Sequence, residues 1–164
     1  MVHLGIRFLR LLLFLGQRAL NILTLGNWPS AVAACVIVTD DNGRLLLLER
    51  ADGAGLGLPG GFVKLYEPLE TAARREVREE TGIELDNLHF VGHLSGKRMP
   101  GIACVDAIYH ARVDASAREQ VRSSLEGKAG WFEYEQVKDR IAYDYNDILE
   151  PFYRDFNPVQ QHRR

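Results

Sequence analysis

The chain has 164 residues, a formal net charge of −2 at neutral pH and 46% hydrophobic residues. That length favours one domain with a real buried core; the near-balanced charge, with no basic excess and no acidic block, excludes general nucleic-acid binding and a long disordered tail. Cys35 and Cys104 have neither C-x-x-C nor Cys/His metal spacing and each sits in an apolar run, which predicts buried free thiols and suits a reducing, cytoplasmic setting.

Residues 1–27 read as a separate N-terminal segment. Leu11 to Leu15 is apolar, but Arg7, Arg10 and Arg18 interrupt the wider stretch. It is too charged for a spanning helix of roughly 20 apolar residues and too broken for a signal peptide. At about 100° per residue, His3, Arg7, Arg10, Gln17, Arg18 and Asn21 fall in one arc, with Phe14 as the apolar intruder. The rest of the circumference is mainly leucine, isoleucine and alanine, so the segment is expected to be an amphipathic helix with a basic stripe. Its apolar face has three places to go: the domain itself, a second copy in a homodimer, or an anionic membrane surface through residues 1–25. Packing on protein is the preferred reading, with membrane association as the alternative.

Gly26 to Ser30 is a linker, and residues 28–157 are expected to form the main domain. Ala31 to Thr39 is a continuous apolar, β-branched run, as expected of a strand buried on both faces. Asp40-Asp41-Asn42-Gly43 signals a hairpin, and Arg44 to Glu49 returns as a second strand. Arg50 then opens a glycine-rich loop that ends in Leu58-Pro59-Gly60-Gly61, where backbone can approach a ligand closely.

The stretch from Gly61 to Ile83 organises the rest. Pro68 suits the first turn of a helix, Leu69 to Thr81 holds good helix formers, and Gly82 is placed to end the helix in a left-handed conformation. Glu76, Glu79 and Glu80 are i, i+3 and i+4 neighbours on one face, where like charges cost a few tenths of a kcal/mol per pair. A divalent cation would turn that repulsion into a site. Carboxylate oxygens, waters and substrate phosphate are the ligands that Mg2+ takes.

Further along, Leu88–Leu94 and Ile102–Val113 read as strands, joined by a loop from Ser95 to Gly101. Lys97 and Arg98 in that loop could meet phosphate, the arginine by a bidentate fork, or simply be solvated. Ala115 to Leu125 is polar, with room for one or two helical turns. Gly130 to Tyr134 reads as a short strand that places Trp131 and Phe132 in the core. Asp144 to Phe156 carries Ile148, Leu149, Phe152, Tyr153 and Phe156 at helical spacing, an amphipathic helix closing the fold. Residues 158–164 are a polar tail.

Gly61, Glu67, Arg75, Glu76, Val77, Glu79, Glu80, Gly82 and Ile83 resemble the Nudix box at every defined position. The resemblance covers Ala31 to Phe156. It implies an α/β fold, an α/β/α sandwich with a mixed sheet, and hydrolysis of a small-molecule diphosphate with Mg2+, for which Mn2+ could substitute. The diphosphate would join a nucleoside to another moiety, as in a nucleotide sugar or ADP-ribose, and the products would be phosphomonoesters. By the same resemblance Glu76, Glu79 and Glu80 hold the metal, Arg75 orients them, and Glu67 stands behind them. The resemblance also sets Arg50, Gly60 and Gly61 toward the substrate, where Lys97 and Arg98, read from their loop alone, would join them. Members differ over the general base: it lies in the box helix, where Glu79 is the candidate, or in a later loop, where Glu126 resembles one known placement and Glu119 is second.

Lys64 and Tyr66 depart from common versions, which often carry an acidic residue and a glycine there. Pro100 falls near a position where ADP-ribose-cleaving members often have proline. Two other readings compete. A nucleotide-sensing module that has lost catalysis would show lesions in the box, and this box is complete. Isoprenoid diphosphate isomerisation would want a catalytic cysteine, whereas Cys104 sits in an apolar run.

Overall fold

The computed structural model describes residues 30–99, 102–114, 116–117, 120–122, 124 and 127–155, with residues 15–16, 18–19 and 22–23 of the N-terminal segment. Those six residues are helical, and Leu15, Ile22 and Leu23 are exposed. The remainder of the expected amphipathic helix, Phe156 and the tail at 158–164 lie outside the described residues.

The apolar run forms strand β1, Ala31–Thr39, buried from Ala33 onward. Burial on both faces follows from two helical layers. Ala34, Val36 and Val38 pack with Ala72, Ala73 and Val77 of helix α1, Leu69–Thr81. Cys35 and Ile37 pack on the opposite side with Leu149 of a helix near the C-terminus, Asn146–Asp155. The later strands Leu45–Arg50 and Ile102–Arg112 likewise serve both cores, with Leu46 and Tyr109 on the α1 side and Leu45, Leu47 and Ile108 on the other; each fully buried leucine or isoleucine contributes about 1.5–3 kcal/mol.

The hairpin after β1 forms as the Asn-Gly signal predicts, with Gly43 at φ 79°. Asp40 accepts the N–H groups of Asn42 and Arg44, both at 2.9 Å, which fixes the turn. Strand β2, Leu45–Arg50, meets β1 only where Thr39 faces Leu45. The two strands then part, because each takes other neighbours. Two short strands follow in the glycine-rich stretch expected as loop: β3, Leu56–Gly57, and β4, Gly60–Phe62. β3 pairs with β2, and β4 pairs with β1.

Strand β5, His89–Met99, and strand β6, Ile102–Arg112, form an antiparallel pair. The expected loop from Ser95 is therefore strand as far as Met99. Backbone pairing to β6 carries a polar, glycine-containing edge that periodicity alone does not mark as β. β6 lies parallel to β1 from Ala31↔Cys104 to Thr39↔Arg112. Strand β7, Gly127–Phe132, adds to β2. It starts earlier than the sequence suggests, and Tyr134 instead opens helix α2, Tyr134–Val137. Trp131 packs against the α1-side core and Phe132 against the other. A turn at Lys138–Arg140 leads to the Asn146–Asp155 helix, α3. One parallel pair among antiparallel ones makes a mixed seven-stranded sheet among the described residues, flanked by α1 and α3: the expected α/β/α sandwich.

Candidate active site

The site begins where β1 and β2 part. β4 lies against β1 with Gly60 opposite Cys35 and Gly61 opposite Ala34. Backbone crowding and a positive φ require glycine at 60, and a side chain at 61 would displace the Glu76 carboxyl. A Cβ on Gly60, at φ 149°, would lie 2.4 Å from the Ala34 carbonyl oxygen, and one on Gly61 would lie 2.7 Å from the Glu76 carboxyl. Backbone thus passes directly under the carboxylates of α1.

Helix α1 places those carboxylates in unequal surroundings. Pro68 is its N-cap at φ −63° and ψ 145°, one position before the first turn expected for it, and Gly82 ends it at φ 78°. Ala72, Ala73 and Val77 anchor its apolar side. Glu80 is 6% exposed, and its Oε2 accepts the N–H of Gly60 at 2.8 Å. Glu76 lines the cleft. Glu79 is 51% exposed. The face expected to be shared is therefore divided, and among the described residues no three His, Cys, Asp or Glu side chains gather closely enough to hold a metal ion.

Arg75 ties this end together. Its Nε and Nη2 donate to the two oxygens of Glu67 at 2.7 and 2.8 Å, and its Nη1 donates to Glu76 and, at 3.3 Å, to Glu79. Nη2 also reaches the Phe62 carbonyl at 3.2 Å. Charge-assisted, bidentate bonds of this kind fix orientation as well as adding energy. The hydrogen bonds from Arg75, with a smaller one from the Lys64 N–H, hold the Glu67 carboxyl down at about 2. Arg75 itself is pushed up, chiefly by its bonds to Glu67. The loop closed by this pair holds Tyr66 at φ 62°, a left-handed conformation in a non-glycine residue that is 96% exposed. Glycine would adopt this backbone without a Cβ penalty.

A cavity of about 420 Å³ runs inward from Glu76, Gly60, Gly61 and Phe62. Ala33 and Cys35 of β1, Cys104 and Asp106 of β6, and Arg50, Tyr143 and Tyr145 complete its lining. Arg50 thus reaches the cleft, but its Nε and Nη2 are engaged by Asp52 at 3.1 and 2.9 Å, and its guanidinium lies 5.1 Å from the centre of the Tyr143 ring. Both cysteines are buried free thiols. They do more than fill core: Cys104 donates to Asp106 Oδ1 at 3.2 Å, and Cys35 Sγ lies 3.4 Å from the Tyr145 hydroxyl.

Asp106, Tyr143 and Tyr145 are cleft residues that sequence reasoning missed. Asp106 left a signal, since it interrupts the apolar run from Ile102 to Ile108, where a fully buried aspartate is rare. Tyr143, at φ 57°, left none; strained backbone beside a cleft is visible only in three dimensions. Among the expected substrate residues, Lys97 and Arg98 are backbone positions of β5 whose side chains lie outside the described residues, as do Glu119 and Glu126 entirely.

Known proteins share this arrangement. The family model described as NUDIX domain matches residues 29–156. A MutT-like protein of Streptomyces ambofaciens is 32% identical over 115 residues, 70% of this chain and 71% of that protein. An ADP-ribose pyrophosphatase of Methanocaldococcus jannaschii is 29% identical over 128 residues, 76% of this chain and 73% of that one. The crystal structure of a MutT protein from Methanosarcina mazei Go1 superposes with a TM-score of 0.67 at 22% identity, over 84% of this chain and 99% of that chain, a likeness of fold. Hydrolases of this family generally use divalent metal ions. With the match extending through the sheet and both helical layers, the chain belongs to the Nudix family of pyrophosphohydrolases.

Proposed function

We propose that the protein is a Mg2+-dependent hydrolase that cleaves the diphosphate joining a nucleoside to a second moiety, as in a nucleotide sugar, ADP-ribose or a related compound. Mn2+ would substitute. The observation that carries this reading is the placement of Glu76 against Gly61 and of Glu80 on the Gly60 N–H, beside a cleft that Glu76 and both glycines line. The donor set fits the ion. Carboxylate oxygens suit a hard cation, and Mg2+ needs only one or two of them beside waters and substrate phosphate, so a pre-gathered trio is not required.

Glu76, Glu79 and Glu80 would hold the metal, which would supply charge neutralisation of the diphosphate and a more acidic water. The chain's own residues do the positioning. Arg75, gripped by Glu67, sets the Glu76 carboxyl. Glycines 60 and 61 let the diphosphate approach backbone. Arg50 turns from Asp52 toward phosphate when substrate enters, an exchange of one anionic partner for another. Glu126, or else Glu79, takes the proton of the attacking water; one phosphorus–oxygen bond of the anhydride breaks as the new one forms, and two phosphomonoesters leave.

A panel of nucleotide sugars, ADP-ribose, NADH, dinucleoside polyphosphates and nucleoside triphosphates, assayed with Mg2+ and with chelator, tests this. The expected products are a nucleoside monophosphate and a second phosphomonoester, formed only with metal. Turnover confined to triphosphates would overturn the substrate class, and turnover that persists in chelator would overturn the metal. For the base, Glu126→Gln should lower kcat with little change in KM; wild-type kinetics would return the role to the box helix.

A further inference from the structure

Large apolar side chains lie open to water around one loop. Phe62 is 48% exposed, Leu65 84%, Tyr66 96% and Leu69 38%, and Val32 of β1 is 42% exposed. Backbone pairing holds them at one end of the sheet: the Val63 N–H donates to the Val32 carbonyl at 2.9 Å, and Phe62 pairs with Ala33. Leu65 and Tyr66 fill the two middle positions of a turn that the Glu67 N–H closes on the Lys64 carbonyl at 3.0 Å, where small polar residues are usual. Exposed apolar groups gathered in this way mark an interaction surface.

The N-terminal segment joins the domain at this same end, because it runs into β1 at Ala31. Its described residues repeat the feature. Leu15, Ala19, Ile22 and Leu23 are helical and exposed, and their i, i+4, i+7 and i+8 spacing sets them on one face, flanked by Arg18. Residues 1–39 contain Arg7, Arg10 and Arg18 and no acidic residue, in a chain whose net charge is −2.

We propose that this end of the molecule docks on an anionic bilayer, with the N-terminal segment in the headgroup layer and the 62–66 loop entering it beside the cleft. The charge fits: each arginine near such a surface strengthens attraction by about fivefold. An apolar helix face flanked by arginine is what the bilayer interface takes, and Tyr66 and, in the linker, Trp28 supply the aromatic rings that favour it. No helix among the described residues is long and apolar enough to cross a membrane. The loop brings little charge of its own, since Glu67 is held by Arg75 and Lys64 offsets Glu70. A second copy is the poorer occupant, because paired N-terminal segments would set arginines against arginines. Phe62 also lines the cleft, so docking brings the mouth at Glu76 and the glycine pair to the membrane surface.

Sedimentation of the full chain with vesicles tests this. Vesicles of equal parts phosphatidylcholine and phosphatidylglycerol should bind it about tenfold or more tightly than phosphatidylcholine alone, and added salt should weaken the binding. Replacing Arg7, Arg10 and Arg18 together by glutamine should lower the partition by about a hundredfold. The double variant Leu65→Ser, Tyr66→Ser should lower it by about tenfold, with the same circular dichroism as the wild type. Cys35 and Cys104 are buried, so an environment-sensitive dye can be placed on Leu65→Cys. Its emission should shift to the blue on bound vesicles, whereas the same dye on Asn42→Cys, in the turn beyond the far end of β1, should not shift. Equal binding to both vesicles, a wild-type partition of the double variant, or a dye at position 65 that stays in water overturns the proposal. So does a full chain that ignores vesicles and dimerises, which would give the face to a second copy.

Discussion

The two ends of the cleft are held by different physics. At the Glu76 end, charges orient one another: one guanidinium spans Glu67, Glu76 and Glu79, all from α1 and the loop before it. Around Tyr145 buried groups from distant parts of the chain meet, such as Cys35 with Tyr145, 110 residues apart in sequence. The first arrangement is local and partly open to water. It can lose a charge with modest damage to the fold, but any displacement moves the groups assigned to chemistry. The second is assembled by the sheet itself, so disturbing it unsettles the core as well as the ligand.

The sharpest way to break this contrast is at Glu80. Glu80→Gln keeps an acceptor for the Gly60 N–H, so the fold should survive with a nearly unchanged melting temperature. Turnover at saturating Mg2+ should fall by about a hundredfold or more, the scale of losing one charge from a metal-centred site. Near-normal rates would remove Glu80 from the reaction. A smaller loss is expected at Arg75. Arg75→Lys keeps the charge but not the planar fork that holds both oxygens of Glu67, and should reduce kcat by about tenfold. Indistinguishable kinetics would mean that Glu76 needs no such orientation.

The buried side answers to pH. His110 lies under α3, its Nε2 2.9 Å from the Thr39 hydroxyl and its ring centre 4.9 Å from that of Phe152. Burial, helped by the nearby His89 and Arg112, pushes its pKa from 6.5 down to about 4. Between those values the unfolded chain binds a proton that the folded chain refuses. The stability that His110 confers as a neutral group is therefore complete above about pH 6.5 and is lost as pH falls toward 4. Denaturant midpoints measured across that window should decline in the wild type, and the decline should flatten in His110→Gln. An equal slope in both proteins would assign the acid sensitivity elsewhere. The smallest effect is expected at Tyr66. Glycine there relieves a left-handed strain of about 1–2 kcal/mol and adds chain entropy of about 0.5–1 kcal/mol. Tyr66→Gly should therefore raise the melting temperature by about 1–3 °C and leave turnover untouched; a lower melting temperature would show that the ring contributes packing.

The same contrast explains what was legible beforehand. Gly61 to Ile83 is one uninterrupted stretch, and its spacing alone predicts helix limits, the Gly82 stop and the Arg75–Glu79 contact. Burial of β1 on both faces and the Asn-Gly hairpin were equally readable, because each is set by neighbours in sequence. The inner cleft was not. Cys104, Asp106 and Tyr143 converge only because β6 lies parallel to β1 and because β1 leaves β2 after one residue pair, and neither fact is encoded in a local pattern. The division of the three glutamates, one buried, one in the cleft and one exposed, likewise depends on where β4 runs beneath α1.

β1 also constrains how this chain can exchange segments with its relatives. Gly60 is in register with Cys35, and Asp106 with Ala33, while Ala34 and Val36 face α1. Side chains alternate along a strand with a period of two residues, so one residue gained or lost within 31–39 would turn the cleft lining toward the helix and the helix contacts toward the cleft. The lining beside Gly60 and the lining beside Asp106 would be lost together. Viable recombinants between homologous chains are therefore expected to inherit β1 as one undivided block, with crossovers falling in the Asp40–Arg44 turn or beyond.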